Sequence, residues 1–397
     1  EQAELMAQQT FSGVPGDFTA GQVLTAAEMD KLREFLLYLI EDGTESTTGA
    51  TSPLILDLDD ADVQIVPKSA LGNRNAIING DFRINQRAFS SSASSVYGFD
   101  RWTSSVSGGT ATYSSQSFTA GSPAATGYEA DTYARLVVAS QSAASDVAVL
   151  IQKIEDVRTY AGASVTLSFW AKAGTGTPKI ATEAVQAFGS GGAPSGSVFT
   201  ATGQVTLSTS WARYSVSFAV PSISAKTIGT DQNSSSLEVN LFFSAGTDFN
   251  SRTGSLGIQN NTFNIWGVQL ERGAVATPFE QLPMAAQLEL CQRYYEKSYD
   301  YDVAPGTASS YTGRALIGVP AAATGYISAN AAFAVQKRAN PNITIYDMAG
   351  TSGKVTYSAN NKTGTAGDIG DHGFRVYSDN STSKSEMSWQ WVAEKEL

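Results

Sequence analysis

The sequence predicts a mainly β protein. It reads as an N-terminal helix, an antiparallel β-sandwich of the jelly-roll kind, a short helix and a C-terminal β-sandwich. Three observations carry this reading. Segments such as VTLSFWAKA, RYSVSFAV and SLEVNLFF alternate apolar and polar residues with period two, the pattern of antiparallel strands with one face on a core and one wet. The 36 glycines and 12 prolines are spread along the chain, as recurrent turns require. No helical stretch of about 10 to 15 residues alternates with the strands, which disfavours a βαβ fold.

Composition narrows the class. A chain of 397 residues exceeds what one core covers, so two or three domains are expected. Only 16% of residues are charged, and Ser, Thr, Gly, Asn and Ala dominate. Such a hydroxyl and amide surface suits an extracellular or virion protein better than a cytosolic enzyme. The net charge of -11 argues against nucleic acid or anionic membrane held by a general positive field. No run of about 18 apolar residues is present, so no membrane insertion is expected. The N-terminal EQAELMAQQTFSG lacks the basic start and apolar stretch of a secretory signal. Cys291 and His372 are each the only residue of their type, which excludes an internal disulfide and a Cys/His zinc site. A catalytic triad would have to use His372, in the glycine-rich GDIGDHG. An exposed loop histidine is the expected state, and the chain reads as a non-enzyme.

Residues 1–45 form an attachment or trimerisation segment with a helix from Ala26 to Glu41. Thr25 is its N-cap, Glu28 completes a capping box and Gly43 ends it. Met29, Leu32, Leu36 and Leu39 follow 3-4-3 spacing, a parallel coiled-coil seam of about two heptads; packing on its own domain is the plainer alternative. Residues 46–74 are a connector. Its Asp57, Asp59, Asp60 and Asp62 lack EF-hand spacing and read as a solvated strand face.

Residues 75–283 are the jelly roll. Asn75 to Arg87 should be a strand entered through an Asn-Gly turn, and YGFDRW should seat Trp102 in the core with Asp100 and Arg101 paired. Val165, Leu167, Phe169 and Ala171 share the apolar face of one strand; Tyr214, Val216, Phe218 and Val220 that of another; Leu237, Val239, Leu241 and Phe243 that of a third. Trp266 should share a core face with Val268 and Leu270. GTGTPK reads as a hairpin loop, since it lacks the phosphate-loop spacing. Residues 284–297 are a second helix with Pro283 at its first position and an apolar face of Met284, Leu288, Cys291 and Tyr295. Residues 298–397 form the second β domain, with strands in RALIGVP, YISANAAFAVQ, NITIYDMA, KVTYSAN, FRVYS and MSWQWVAE.

Several residues are candidates for function, each beside a plainer role. Trp170 lies opposite the apolar face of its strand, either covered by other chain or free to stack on a ligand. Trp389 and Trp391 sit two apart on one strand, with Tyr377 and Phe374 on another; they form either core or an aromatic row for sugar rings. Asn79 and Asp81 either shape a tight turn or help ligate a Ca2+ ion through oxygen.

The strings NAIINGDFRINQR, YGFDRW, SFWAKA, LSTSWARYSVSFAVP, IWGVQLERG, ATPFE and LCQRYYEKS, in that order, resemble the β-sandwich module of tail fibres and other virion appendages of tailed bacteriophages. GQVLTAAEMDKLR resembles the N-terminal helix of such fibres, and ANPNITIYD and WVAEKEL resemble their C-terminal module. The connector departs from the pattern. The resemblance implies a carbohydrate-binding jelly roll, at times with structural Ca2+. It implies a homotrimer in the virion, held to other virion proteins by its N-terminus and binding host surface polysaccharide. Alternatives are a capsid-mounted head fibre or spike, a ligand-free connector or baseplate part, and a glycan depolymerase.

Overall fold

The computed structural model describes residues 54–58, 61–65, 74–125, 127–308, 313–318, 325–357, 360–379 and 386–397. The chain divides into two compact units, Glu1–Asn73 and Arg74–Leu397. In the first, strands β1 (Leu54–Leu58) and β2 (Ala61–Ile65) pair antiparallel. The expected helix, with Met29, Leu32, Leu36 and Leu39, lies outside the described residues.

The second unit opens with a sandwich of two six-stranded sheets. Its strands are β3 (Ser91–Ser92), β4 (Val96–Tyr97), β5 (Thr103–Ser107), β6 (Thr110–Ser117), β7 (Thr132–Ala139), β8 (Val147–Glu155), β9 (Ser164–Ala173), β10 (Lys179–Ala187), β11 (Val198–Thr206), β12 (Ala212–Ala219), β13 (Ser236–Ala245) and β14 (Thr262–Arg272). One sheet runs β11-β10-β13-β8-β5-β4 and the other β12-β9-β14-β7-β6-β3, antiparallel throughout. The core between them takes Val165, Leu167, Phe169 and Ala171 from β9 and Leu237, Val239, Leu241 and Phe243 from β13. Tyr214, Phe218 and Val220 turn to the same core and Val216 is half-buried outside that cluster, while Ser215 and Ser217 are exposed. Period-two alternation thus sorted these faces correctly.

Local irregularity changed the rest. Asn75–Arg87 is a buried arch without regular strand, not the expected strand. Ile77, Phe82 and Ile84 are buried in it, and Asn79 (φ 59°) supplies the left-handed bend that its side chain tolerates. Trp102 is fully buried, and its indole N–H donates to the Asn79 carbonyl at 2.9 Å. Asp100 and Arg101 do not pair with each other: Asp100 faces Arg87 at 3.6 Å and Arg101 pairs with Glu396. GTGTPK is no hairpin, because it carries the chain from β9 in one sheet to β10 in the other.

The polar face of β9 is not wet. Thr166, Ser168 and Trp170 are buried beneath the strap 273–280, which follows β14. The Thr166 hydroxyl donates to Gly273 O and that of Ser217 to Ala274 O, both at 2.8 Å; Arg213 donates to Ser168 Oγ at 3.0 Å and to Thr277 O. Period two reports strand geometry but not what later chain lies on the outer face.

Two short helices follow β13 and β14: α1 (Asn250–Thr253) and α2 (Met284–Gln292). The second stops at Gln292 rather than at 297, and Pro283 is its N-cap rather than its first helical residue. Gln287 and Cys291 are its buried residues, Leu288 is half-buried and Met284 is 44% exposed, so the expected apolar face is wrong at Met284. Tyr295 belongs to a strand instead. β15 (Tyr295–Lys297) pairs with β23 (Glu386–Glu394), a long-range pairing that overrides local helix propensity.

Around β23 gather β15, β16 (Ala315–Gly318), β18 (Asn342–Tyr346), β19 (Lys354–Tyr357) and β20 (Asn360–Thr363). A three-stranded sheet, β17-β22-β21, is built from β17 (Tyr326–Ala332), β21 (Thr365–Gly367) and β22 (Gly373–Asp379). The two share a core of Ile345, Val355, Tyr357, Phe374, Val376, Met387, Trp389, Trp391 and Ala393. This core is distinct from that of the sandwich, yet both lie within one compact unit. A buried polar seam joins them: Arg87 bridges Asp100, Glu394 (2.8 Å) and Glu396 (3.1 Å), Arg101 pairs with Glu396, and their guanidiniums lie 3.9 and 3.4 Å from the Tyr295 and Tyr294 ring centroids.

Candidate functional site

The alternation of YISANAA sets up the most open aromatic face of the described chain. Along β17, Ile327, Ala329 and Ala331 turn to the core, while Tyr326, Ser328, Asn330 and Ala332 are exposed. Tyr326 is 79% exposed, the largest value among the exposed large hydrophobic residues. Antiparallel register places Asp379 opposite Tyr326, Tyr377 opposite Ser328 and Arg375 opposite Asn330. On the far side, Thr365 pairs with Tyr377 and Gly367 with Arg375. Tyr326 and Tyr377 therefore stand at diagonal positions on one sheet face.

Gly367 makes room for the second ring. A Cβ there would come within 2.6 Å of Tyr377 Cε1, so the tyrosine lies close against the glycine backbone. Arg375 lies 5.9 Å from the Tyr377 ring centroid and pairs with Asp368 at 2.7 Å. The face continues into a pocket of about 320 Å³ whose polar lining is Asn330, Asp368, His372 and Arg375. Its far end is fixed where Phe333 N–H donates to His372 O at 2.9 Å. His372 is the exposed loop residue that its glycine-rich context predicted, with its side chain 77% exposed. The arrangement offers two ring faces, then amide, carboxylate and guanidinium groups. It can hold a ligand that is apolar on one side and rich in hydroxyls at its edges.

Of the sequence candidates, Tyr377 alone belongs to this face. Trp389 and Trp391 are 2% and 6% exposed, and their strand turns them inward with Met387 and Ala393. Trp391 packs on Phe374 at 5.7 Å and on Phe333 at 5.5 Å between centroids. They are core residues, corrected from the aromatic row. Trp170 is likewise covered. It lies 5.4 Å from Trp266 and 5.6 Å from Tyr128, with the Arg213 guanidinium 4.7 Å from its ring. Tyr326, Ser328 and Asn330 on β17 and Arg375 on β22 were missed, although period two along each strand marks them as outward.

Asn79 braces its turn. Its amide donates to Ile84 O (2.8 Å) and Asp100 O (3.0 Å), and its oxygen accepts from Ile84 N–H (2.8 Å). Buried Asp81 accepts from Gln287 Nε2 at 3.0 Å and faces Arg83 at 3.8 Å. Burial raises its pKa above the ordinary carboxylate value, against the opposing charge of Arg83. No cluster of three or more His, Cys, Asp and Glu that could hold a metal occurs among the described residues. The pair fits the tight-turn reading.

No known protein family matches the sequence, and no curated protein does. Similar solved structures include the CBM22-2 xylan-binding domain of Xyn10C from Paenibacillus barcinonensis, with 16% identity, 46% of this chain and 98% of that one covered, and a TM-score of 0.29. The C-terminal family 22 carbohydrate-binding module of Xyn10B from Clostridium thermocellum shows 15% identity, coverage of 45% and 89%, and a TM-score of 0.28. The family 11 module of Clostridium thermocellum, solved with a β-1,3-1,4-mixed-linked tetrasaccharide, shows 10% identity, coverage of 48% and 99%, and a TM-score of 0.27. The ligands named are those of the domains themselves.

Proposed function

We propose that the chain binds glycans through the outward face of the β17-β22-β21 sheet. The observation that carries this reading is the exposed Tyr326, diagonal to Tyr377 on a polar, open sheet. Tyrosine rings stack on the apolar faces of sugars, while Ser328, Asn330, Thr365 and Arg375 offer hydrogen bonds to their hydroxyls. The buried carboxylates have other work, which favours binding over hydrolysis. Glu183 is held by Arg252 and Asn240, Asp100 by Arg87 and Gln86, and Glu296 by Lys337.

The resemblance to phage appendages supports a place on a virion, as tail fibre or spike, with residues 1–45 mounting the chain as a homotrimer through Met29, Leu32, Leu36 and Leu39. Three weak sites per fibre would then multiply avidity. Native mass of the full chain, compared with a chain lacking residues 1–45, reads that assembly: a monomer in both removes the trimer. Glycan-array binding followed by titration of the best ligand tests the face. Tyr326→Ala and Tyr377→Ala should each weaken affinity about tenfold, or ~1.4 kcal/mol, with thermal stability of Tyr326→Ala unchanged. Unaltered affinity in both variants removes the proposal.

A further inference from the structure

A second concavity lies elsewhere in the Arg74–Leu397 unit, between the sandwich loop before β13 and the loops flanking β17, β22 and β23. It is a cleft of about 590 Å³ with a lining rich in polar side chains: Asp231, Asn233, Ser234, Arg338, Asp371 and Lys395 among them. Its charges are unequally committed. Asp231 accepts from Asn233 N–H at 3.2 Å, capping its own short turn. Asp371 accepts from Gln336 Nε2 at 2.7 Å and stands 3.8 Å from His372.

The two cations are different. Arg338 donates from Nε to Lys395 O and from Nη2 to Glu396 O, both at 2.9 Å, and from Nη1 to Asn233 O. All three acceptors are neutral carbonyls, so its guanidinium is positioned without a carboxylate in direct contact. Burial lowers its pKa, against the opposing charges of Glu155 and Glu396 nearby. Lys395 forms no ion pair with any described residue. A guanidinium fixed by its neighbours, next to an unengaged ammonium, presents a site for an anionic group. Asn340 and Ser234 stand in the same lining and suit hydroxyls.

We propose that this cleft is a second saccharide site, selective for a sugar that bears a carboxylate. The carboxylate sits at Lys395 and Arg338, and the sugar hydroxyls meet Asn340, Ser234 and Asp231. This site is independent of the tyrosine face, and the two can fail separately.

Calorimetric titration of the full chain with trigalacturonate and with its methyl ester tests the proposal. The acid should bind at least tenfold more tightly than the neutral ester. Lys395→Glu should abolish binding of the acid and Lys395→Gln should weaken it several-fold. Tyr326→Ala should leave it unchanged. Circular dichroism melts of the Lys395 variants verify folding, and Lys395→Gln carries the test if Lys395→Glu unfolds. The proposal is overturned by no binding of the acid, by equal binding of acid and ester, or by full binding in folded Lys395 variants. Loss of acid binding in Tyr326→Ala would move the acidic ligand to the tyrosine face and likewise overturn it.

Discussion

Single residues decide which way this chain's aromatic side chains point. Trp266 shows how. Strict alternation from Phe263 and Ile265, both in the sandwich core, sends Trp266 outward and would send Val268 and Leu270 outward as well. Instead the register jumps between Trp266 and Gln269, with Gly267 at φ 63°. The bulge returns Val268 and Leu270 to the core and leaves Trp266 fully buried in the outer cluster with Trp170, Tyr133 and Phe279. The expectation that Trp266 shares a face with Val268 is thereby corrected, though its burial was foreseen. Glycine is required twice over: for the positive φ, and because a Cβ would meet Trp170 Cε3 at 2.7 Å. Gly267→Ala should therefore cost roughly 2–3 kcal/mol through backbone strain and overpacking. Urea unfolding followed by tryptophan fluorescence gives the value; a loss below about 0.5 kcal/mol would mean that the strand adapts freely.

At the scale of elements, the C-terminal strand β23 does more than complete its own sheet. It delivers Glu394, and just past its end Glu396, to half-buried Arg87 and buried Arg101 at the seam. A buried cation is tolerable only when paired, and removing one partner leaves an uncompensated charge. Glu396→Ala should destabilise the chain by roughly 3–5 kcal/mol, as such broken pairs do. Pairing Glu396→Gln with Arg101→Met should recover much of that loss, because no charge is then stranded. Chemical denaturation of the two variants compares them directly. If the double variant is no more stable than Glu396→Ala, the seam acts through packing alone. Sequence reading found β23 and its period but left Trp389 and Trp391 between core and an aromatic row; both are core. Strand periodicity names two faces without saying which is dry when both are rich in large residues.

For the molecule as a whole, the seam and the arch bury several phenols, and this sets its response to alkali. Burial pushes the phenol of Tyr97 up to about 12, with Glu396 adding to it, and that of Tyr301 up to about 12. In the unfolded chain a tyrosine ionises near pH ~10. A folded pKa above the unfolded one means that the native state holds its protons longer. The resulting stability is whole below pH ~10 and is lost as pH rises from there through about 12. Denaturation midpoints should thus fall steeply over that interval, with part of the tyrosinate absorbance rising only as the fold is lost. A smooth titration of all tyrosines near pH ~10 in the folded protein would contradict the buried seam.

What the sequence determined alone is the local grammar: β class, six of the nine C-terminal strands described, the inward sets of β9 and β13, the buried Trp102 and Cys291, and the exposed His372. These follow from side-chain period, turn chemistry and count, which act between near neighbours. Only the tertiary structure decided that the strap 273–280 dries the outer face of β9, that Tyr295 leaves the helix to pair with β23, and that the open aromatic face belongs to Tyr326 and Tyr377 rather than to the tryptophans. Those outcomes depend on contacts between residues far apart in the chain, and no local pattern encodes which distant segment will cover a given face.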